Sequence, residues 1–471
     1  MPLLSFELIA PGLDDRVAKR LASSLVGDLH LGPVYGPDAL RALRRVRARA
    51  ERLDHALGER PRTAPRRPVL LGDIGLPGSL QLGRPPRGVQ QPALLRRVQV
   101  QTWAEVPDLA RRLAAMPEVR RVYPWSGVSS PEPVGSQGYL DADANLGMDV
   151  RGVWSGLGVS TAPGAGVHIG VVELASPTEV HPDLPPIVQR GRAGAGDPRH
   201  ALKTLGVLVA GNNDLPPDER VDGIVWGADR AVLVEVEARR GPCAISEAYA
   251  GEVAAAIHLA AAELRVGGVL LVEVQLDTAT GHLPIYLDPL VRQAIAEVEA
   301  SGVLVVVPSS NSSVRLGQAE ADPFWAGQVD MSVRGLLVGG AVARPGAGQL
   351  RVADCGWGPQ VHCCAWASGV RTLGPGGGAA SYSGTSAAAA IIAGAAGLVQ
   401  AVAWKKHGRV LLPDALRDLL AEPAAGRGVV KGGGEPRKDV VGVQPKLKGL
   451  LARVAAKATA GIPGAGVEAD V

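Results

Sequence analysis

Phenylalanine occurs twice in 471 residues, and aromatic side chains together make up 3% of the chain. The core cannot then be built around large rings. It must be packed from aliphatic and small residues, which bring the hydrophobic content to 46%. Cysteine is scarce too. Cys243, Cys355, Cys363 and Cys364 fit neither a zinc-ligand spacing nor a disulfide scaffold, so buried free thiols are expected. No sign of charge dominates, and a net +3 gives no reason to expect nucleic acid or a membrane surface as partner. There is no Asp-rich run of the kind that cages calcium, and neither a metal nor another cofactor is expected. The start, Met1-Pro2-Leu3-Leu4-Ser5-Phe6-Glu7, has no basic region and no apolar run of signal-peptide length. A cytoplasmic location is therefore expected, with secretion by a leaderless route left open.

One apolar run, Ala387 to Trp404, is long enough to raise the question of a membrane span. Its many Ala and Gly, the Gln400 inside it, and Lys405-Lys406-His407 after it favour a buried helix of a globular protein instead. Glycine (61) and proline (37) are plentiful, without a collagen-like period, and imply many turns.

The chain divides by pattern. Residues 1–95 form an N-terminal region of unknown role. Within it, Leu40 to Leu57 carry apolar residues at helical spacing, and Arg41, Arg44, Arg45, Arg47, Arg49 and Arg52 cover the rest, expected to be a solvated face. Pro61 to Pro68 read as a loop. Residues 96–128 are a compact unit: a strand at 97–101, a helix from Val106 to Met116, and a strand at 119–124. From residue 139 to about 450 the pattern changes. Apolar strands at 167–172, 231–236, 268–274, 303–307 and 336–340 alternate with helices at 202–210, 248–264 and 291–300. Strands apolar on both faces, with helices between them, imply a parallel sheet covered on both sides. Functional residues in such sheets sit beyond the carboxyl ends of strands. Residues 451–471 read as a tail.

At those ends stand the residues that carry chemistry. Glu173 follows the strand at 167–172. Arg199-His200-Ala201-Leu202-Lys203-Thr204-Leu205-Gly206 opens the next helix, and Pro308-Ser309-Ser310-Asn311 follows the strand at 303–307. Ser381-Tyr382-Ser383-Gly384-Thr385-Ser386 leads a Gly-rich approach into the small-residue helix. Gly-Thr-Ser alone is also a good helix cap. An acid, a histidine, an amide donor and a serine, in that order, supply an orienting group, a base, an oxyanion donor and a nucleophile.

These elements resemble the subtilisin-like serine proteases, the subtilases, and the chain reads as a divergent bacterial member of them. The Ser386 block carries the resemblance most specifically. The run from Asp354 to Gly374 and the stretch Leu271-Val272-Glu273-Val274-Gln275 are similar to one bacterial branch. The resemblance implies an α/β fold with a subtilisin-like parallel sheet covered by helices on both faces, after a small α/β pro-domain-like unit at 96–128. It implies a serine endopeptidase acting on a peptide or protein substrate through an acyl-enzyme, with Ser386 as nucleophile, His200 as base and Asn311 on the oxyanion. Gly206 and Gly211 hold the family's positions after the histidine. The unit at 96–128 would occupy the cleft and inhibit the enzyme intramolecularly.

The first family motif departs. No Asp ends the strand, and two alignments stay open: Glu173 orients His200 in its place, or the Asp position falls on Val171 and the triad has no acid. Asp183 and Asp197 are other acids nearby, and Asp183 in His-Pro-Asp-Leu fits a turn. Ala201-Leu202 replaces Gly-Thr after the histidine, Pro308-Ser309-Ser310 replaces Ala-Ala-Gly, and Ala390 replaces a proline. The alternative function is a catalytically impaired pseudoprotease that binds a peptide or protein partner.

Overall fold

A computed structural model of the chain describes residues 3–8, 37–57, 94–99 and 119–125, and most of residues 136–463. The first strand is β1 (Leu3–Leu8), and the first helix is α1 (Pro37–Leu57). Strands β2 (Leu94–Gln99) and β3 (Val119–Trp125) lie on either side of β1, antiparallel to it, in the order β2-β1-β3. The unit at 96–128 thus draws in a strand from a region the sequence had set apart. The central strand is contributed from about ninety residues upstream, a pairing no local pattern announces. The expected helix from Val106 to Met116 lies outside the described residues.

The main sheet begins with β4 (His168–Glu173), β5 (Ile187–Arg190), α2 (Pro198–Val209) and β6 (Arg230–Glu235). Then come α3 (Ala250–Ala262), β7 (Val269–Val272), α4 (Pro289–Ala300), β8 (Leu304–Pro308) and β9 (Leu336–Arg344). Strand β10 (Cys363–Trp366) follows, then a hairpin of β11 (Val370–Leu373) and β12 (Ala379–Tyr382). Helix α5 (Gly384–His407), α6 (Pro413–Leu420), β13 (Val443–Pro445) and α7 (Leu447–Ala456) complete it.

In space the strands run β13-β10-β9-β8-β7-β4-β6-β5, every neighbouring pair parallel. Short antiparallel segments, Gly426–Gly428 on β13 and Gly348–Arg351 on β9, complete ten strands. The chain passes from β4 to the edge strand β5, comes back to β6 between them, and then crosses to place β7 on the other side of β4. The crevice beyond the carboxyl ends of β4 and β7 is thus the topological switch point, where such sheets build sites.

Alternation along each strand feeds two cores. Ile169, Val171, Leu271 and Val306 face α2 and α5. Val172, Val272, Val305 and Val307 face α3 and α4. The period of two carries past the strand ends, so Glu173 and Glu273 fall on the α5 side, in adjacent positions of adjacent strands. Helix α5 is apolar all round and crosses this core, buried from Thr385 to Ala403. Its apolar length would suffice to span a membrane, but the whole of its 18-residue apolar window is buried. The small side chains let it approach the sheet closely. Cys355, Cys363 and Cys364 are buried and free; Cys243 lies outside the described residues.

The arginines of α1 do not all cover a solvated face. The helix packs on α3 and α4. Arg49 donates to the Ala261 carbonyl at 2.7 Å, to the Leu264 carbonyl and to Ser301 Oγ at 3.0 Å, capping the carboxyl end of α3. Burial, then neighbouring Arg52, lowers its pKa to about 10. Arg47 pairs with Glu297 at 2.7 Å, and Glu297 also meets His258 at 3.0 Å. An apolar stripe on a helix predicts one docked face, but not that the arginine beside it will reach a helix terminus.

Candidate active site

Each residue singled out by sequence lies at a carboxyl end of the sheet or at a helix start facing it. Glu173 ends β4 and is 1% exposed. Its Oε1 accepts from His200 Nδ1–H at 2.6 Å and from Thr204 Oγ1 at 3.1 Å, and its Oε2 from the Leu174 backbone N–H at 3.3 Å. Glu173 is therefore the acid that meets His200, while Val171 is packed into the core below. The other acids are occupied elsewhere. Asp197 caps α2 through the Arg199 N–H at 3.0 Å, and Asp183 lies in a turn beside His181, 3.9 Å from its Nδ1. Asp197 at the cap and Pro198 at the first helical position start α2 two residues before His200.

The other ring nitrogen of His200 does not reach Ser386. Its Nε2 accepts from the Tyr382 hydroxyl at 3.2 Å, and the two rings meet edge to face with centroids 5.2 Å apart. Tyr382 Oη also lies 2.9 Å from Thr204 Oγ1. No hydrogen bond joins His200 and Ser386. Tyr382 ends β12 and is fully buried; burial, then the charges of Glu273 and Glu173, pushes its pKa well above the ordinary tyrosine value.

Ser386 is the third residue of α5. Gly384 opens the helix with a φ of 84°, a left-handed conformation that favours glycine and sets the turn from β12 into α5. Backbone N–H groups of this first turn have no partner within the helix; that of Gly384 donates to the Ala367 carbonyl at 2.9 Å. Asn311 is tied to the residue before the serine: its Oδ1 accepts from the Thr385 N–H at 2.8 Å and from Thr385 Oγ1 at 3.1 Å. Its backbone N–H and its Nδ2 both donate to Gln275 Oε1, at 3.1 and 3.3 Å. An amide nitrogen carries two N–H groups, so one remains for an oxyanion. Ser310, just before it, holds a φ of 83°, unusual for a residue other than glycine, and aims this loop at the helix start.

One residue of the cluster had been noted only as part of a family-like stretch. Glu273, immediately after β7, is 1% exposed. The hydroxyls of Ser386 and Tyr382 lie against its carboxylate, yet both carboxylate oxygens are buried without a hydrogen bond of ordinary geometry. Burial first, and the charge of Glu173 second, raises its pKa well above the usual carboxylate range, against those hydroxyls. The signal available in the sequence was an acid directly after a strand apolar on both faces, the same signal that Glu173 gives. Among the described residues no group of His, Cys, Asp and Glu is arranged to hold a metal ion.

No family model matches this chain, and no curated protein matches it in sequence. Many solved structures resemble it, two of them as follows. The prenylagaramide maturation protease PagA is 18% identical, with a TM-score of 0.48 over 65% of this chain and 99% of that one. A cold adapted subtilisin-like serine proteinase is 18% identical, with a TM-score of 0.41 over 60% of this chain and 88% of that one. Likenesses of this size carry no information on chemistry.

Proposed function

We propose that the chain is a subtilisin-like serine endopeptidase, in which Ser386 attacks a peptide carbonyl and forms an acyl-enzyme that water releases. One observation carries the reading. A helix-terminal serine, an asparagine amide bound to the residue before it, and a buried histidine–carboxylate pair at 2.6 Å converge on the switch-point crevice. Helix-terminal N–H groups and the Asn311 amide would stabilise the oxyanion, and Glu173 would orient His200. The experiment is cleavage of a quenched-fluorescent peptide library by the full chain and by its Ser386→Ala variant. Cleavage that disappears in the variant supports the reading, and cleavage that survives it overturns it.

A pseudoprotease binding a peptide or protein partner is the second reading, favoured by the bond that Tyr382 makes to His200 Nε2. It predicts no cleavage by either protein and saturable binding of a library peptide that cleft substitutions weaken. In the protease reading, the unit that includes residues 96–128 inhibits the enzyme, so cleavage should rise after limited proteolysis of that unit.

A further inference from the structure

The polar cluster at the switch point contains one group that the usual triad logic leaves idle. Glu173, Thr204, His200 and Tyr382 satisfy one another. Glu273 is the remaining member, its two oxygens buried without a hydrogen bond of ordinary geometry, with the hydroxyls of Ser386 and Tyr382 against it. An ionised carboxylate buried without ordinary hydrogen bonds is costly, so such a group survives as a neutral acid or by having a function. The parallel register sets it beside Glu173, since Val172 pairs with Val272 and the Glu273 N–H donates to the Val172 carbonyl at 3.0 Å.

We infer that Glu273 is the group that exchanges a proton with Ser386, while His200, held by Glu173 and Tyr382, is a positioning residue. The inference rests on the serine-hydrolase reading above. In acylation the Ser386 Oγ–H bond breaks and its proton passes to a Glu273 oxygen. Oγ bonds to the carbonyl carbon, whose π electrons move onto oxygen. Collapse breaks the C–N bond, and the leaving amine takes the proton back from Glu273. A water then gives its proton to Glu273 and attacks the acyl carbon, and Ser386 leaves with that proton, so one peptide bond and one water become an acid and an amine.

The titratable groups facing Glu273 are Glu173 from β4 and Tyr382 from β12, with His200 of α2 bonded to both. Glu173 and burial oppose the charge on Glu273 and make it a stronger base than an ordinary carboxylate, available only once the pH has risen above the usual carboxylate range.

The test is the rate of labelling by a fluorophosphonate probe, measured from pH 4 to 9, for wild type, Glu273→Gln and Glu273→Asp. Wild type should gain rate with pH through an ionisation well above about 4.3, the ordinary glutamate value. Glu273→Gln, nearly isosteric with the neutral acid and checked for folding by thermal unfolding, should label about 100-fold or more slowly and lose that limb. Glu273→Asp should keep the limb at reduced rate, which a merely structural role would not produce. Glu273→Gln labelling within threefold of wild type overturns the inference alone, as does a wild-type rate independent of pH. A wild type that never labels removes the serine-hydrolase reading and this inference with it.

Discussion

Asn311→Asp separates two jobs that the wild-type side chain does at once. The substituted carboxylate keeps an acceptor toward the Thr385 N–H and Oγ1, now 2.8 and 3.1 Å from Oδ1, so the tether to the start of α5 survives as charge-assisted bonds. What disappears is the Nδ2 donor. Losing one oxyanion donor costs about 100- to 1000-fold, or about 2.7–4 kcal/mol of transition-state stabilisation. The new charge acts in the same direction, because it opposes the oxyanion. On the stability side, Gln275 Oε1 loses an N–H at 3.3 Å and meets an oxygen instead. That acceptor keeps the Asn311 backbone N–H at 3.1 Å, so the cost is one lost hydrogen bond, about 1 kcal/mol. The assay pairs thermal unfolding with the rate of fluorophosphonate labelling. A midpoint lowered by a few degrees with labelling slowed at least 100-fold is expected. Labelling within threefold of wild type would refute Asn311 as an oxyanion donor and leave it a tether of Thr385.

Three further outcomes follow from the fold. Asp288 caps α4 with Oδ1, its Oδ2 is buried without a partner, and burial lifts its pKa to about 7 against the Val291 and Leu290 N–H groups. A folded value above the unfolded one means stability is full below about pH 4 and is lost as pH rises to 7, so relative to Asp288→Asn the wild type should lose about 4 kcal/mol over that window in urea unfolding. Gly206→Ala places a Cβ 2.7 Å from the Leu373 backbone nitrogen, so α2 must shift away from β11, with a loss of about 1–3 kcal/mol in thermal unfolding and slower labelling because His200 moves with the helix. Arg49→Ala removes the cap on α3 and should cost about 2–3 kcal/mol, with residues 37–57 becoming sensitive to limited proteolysis.

The layered architecture was legible because strands such as Leu304–Pro308 are apolar at every position and lie between amphipathic helices. Ser386 could be placed at a turn-to-helix junction from the Gly-Thr-Ser pattern and the small-residue run after it. The partnership of Glu173 with His200 was one of two alignments left open, and the two side chains meet at 2.6 Å. Three features were beyond local pattern. Glu273 meets Ser386 only because β7 pairs in register with β4, which tertiary structure sets. The hydroxyl of Tyr382 reaches His200 Nε2 only because the hairpin of β11 and β12 folds against α2. Leu3–Leu8 finds its partners about ninety and more residues away. In each case the missing information was a long-range pairing, which no window along the chain contains.

The central claim is that Ser386 is an activated nucleophile. The most direct measurement is intact-mass and peptide mass spectrometry of the full chain after exposure to a fluorophosphonate, beside Ser386→Ala. The account predicts one adduct per chain, mapped to the peptide that holds Ser386 and absent from the variant. No adduct, or an adduct that persists at another residue in Ser386→Ala, would contradict it.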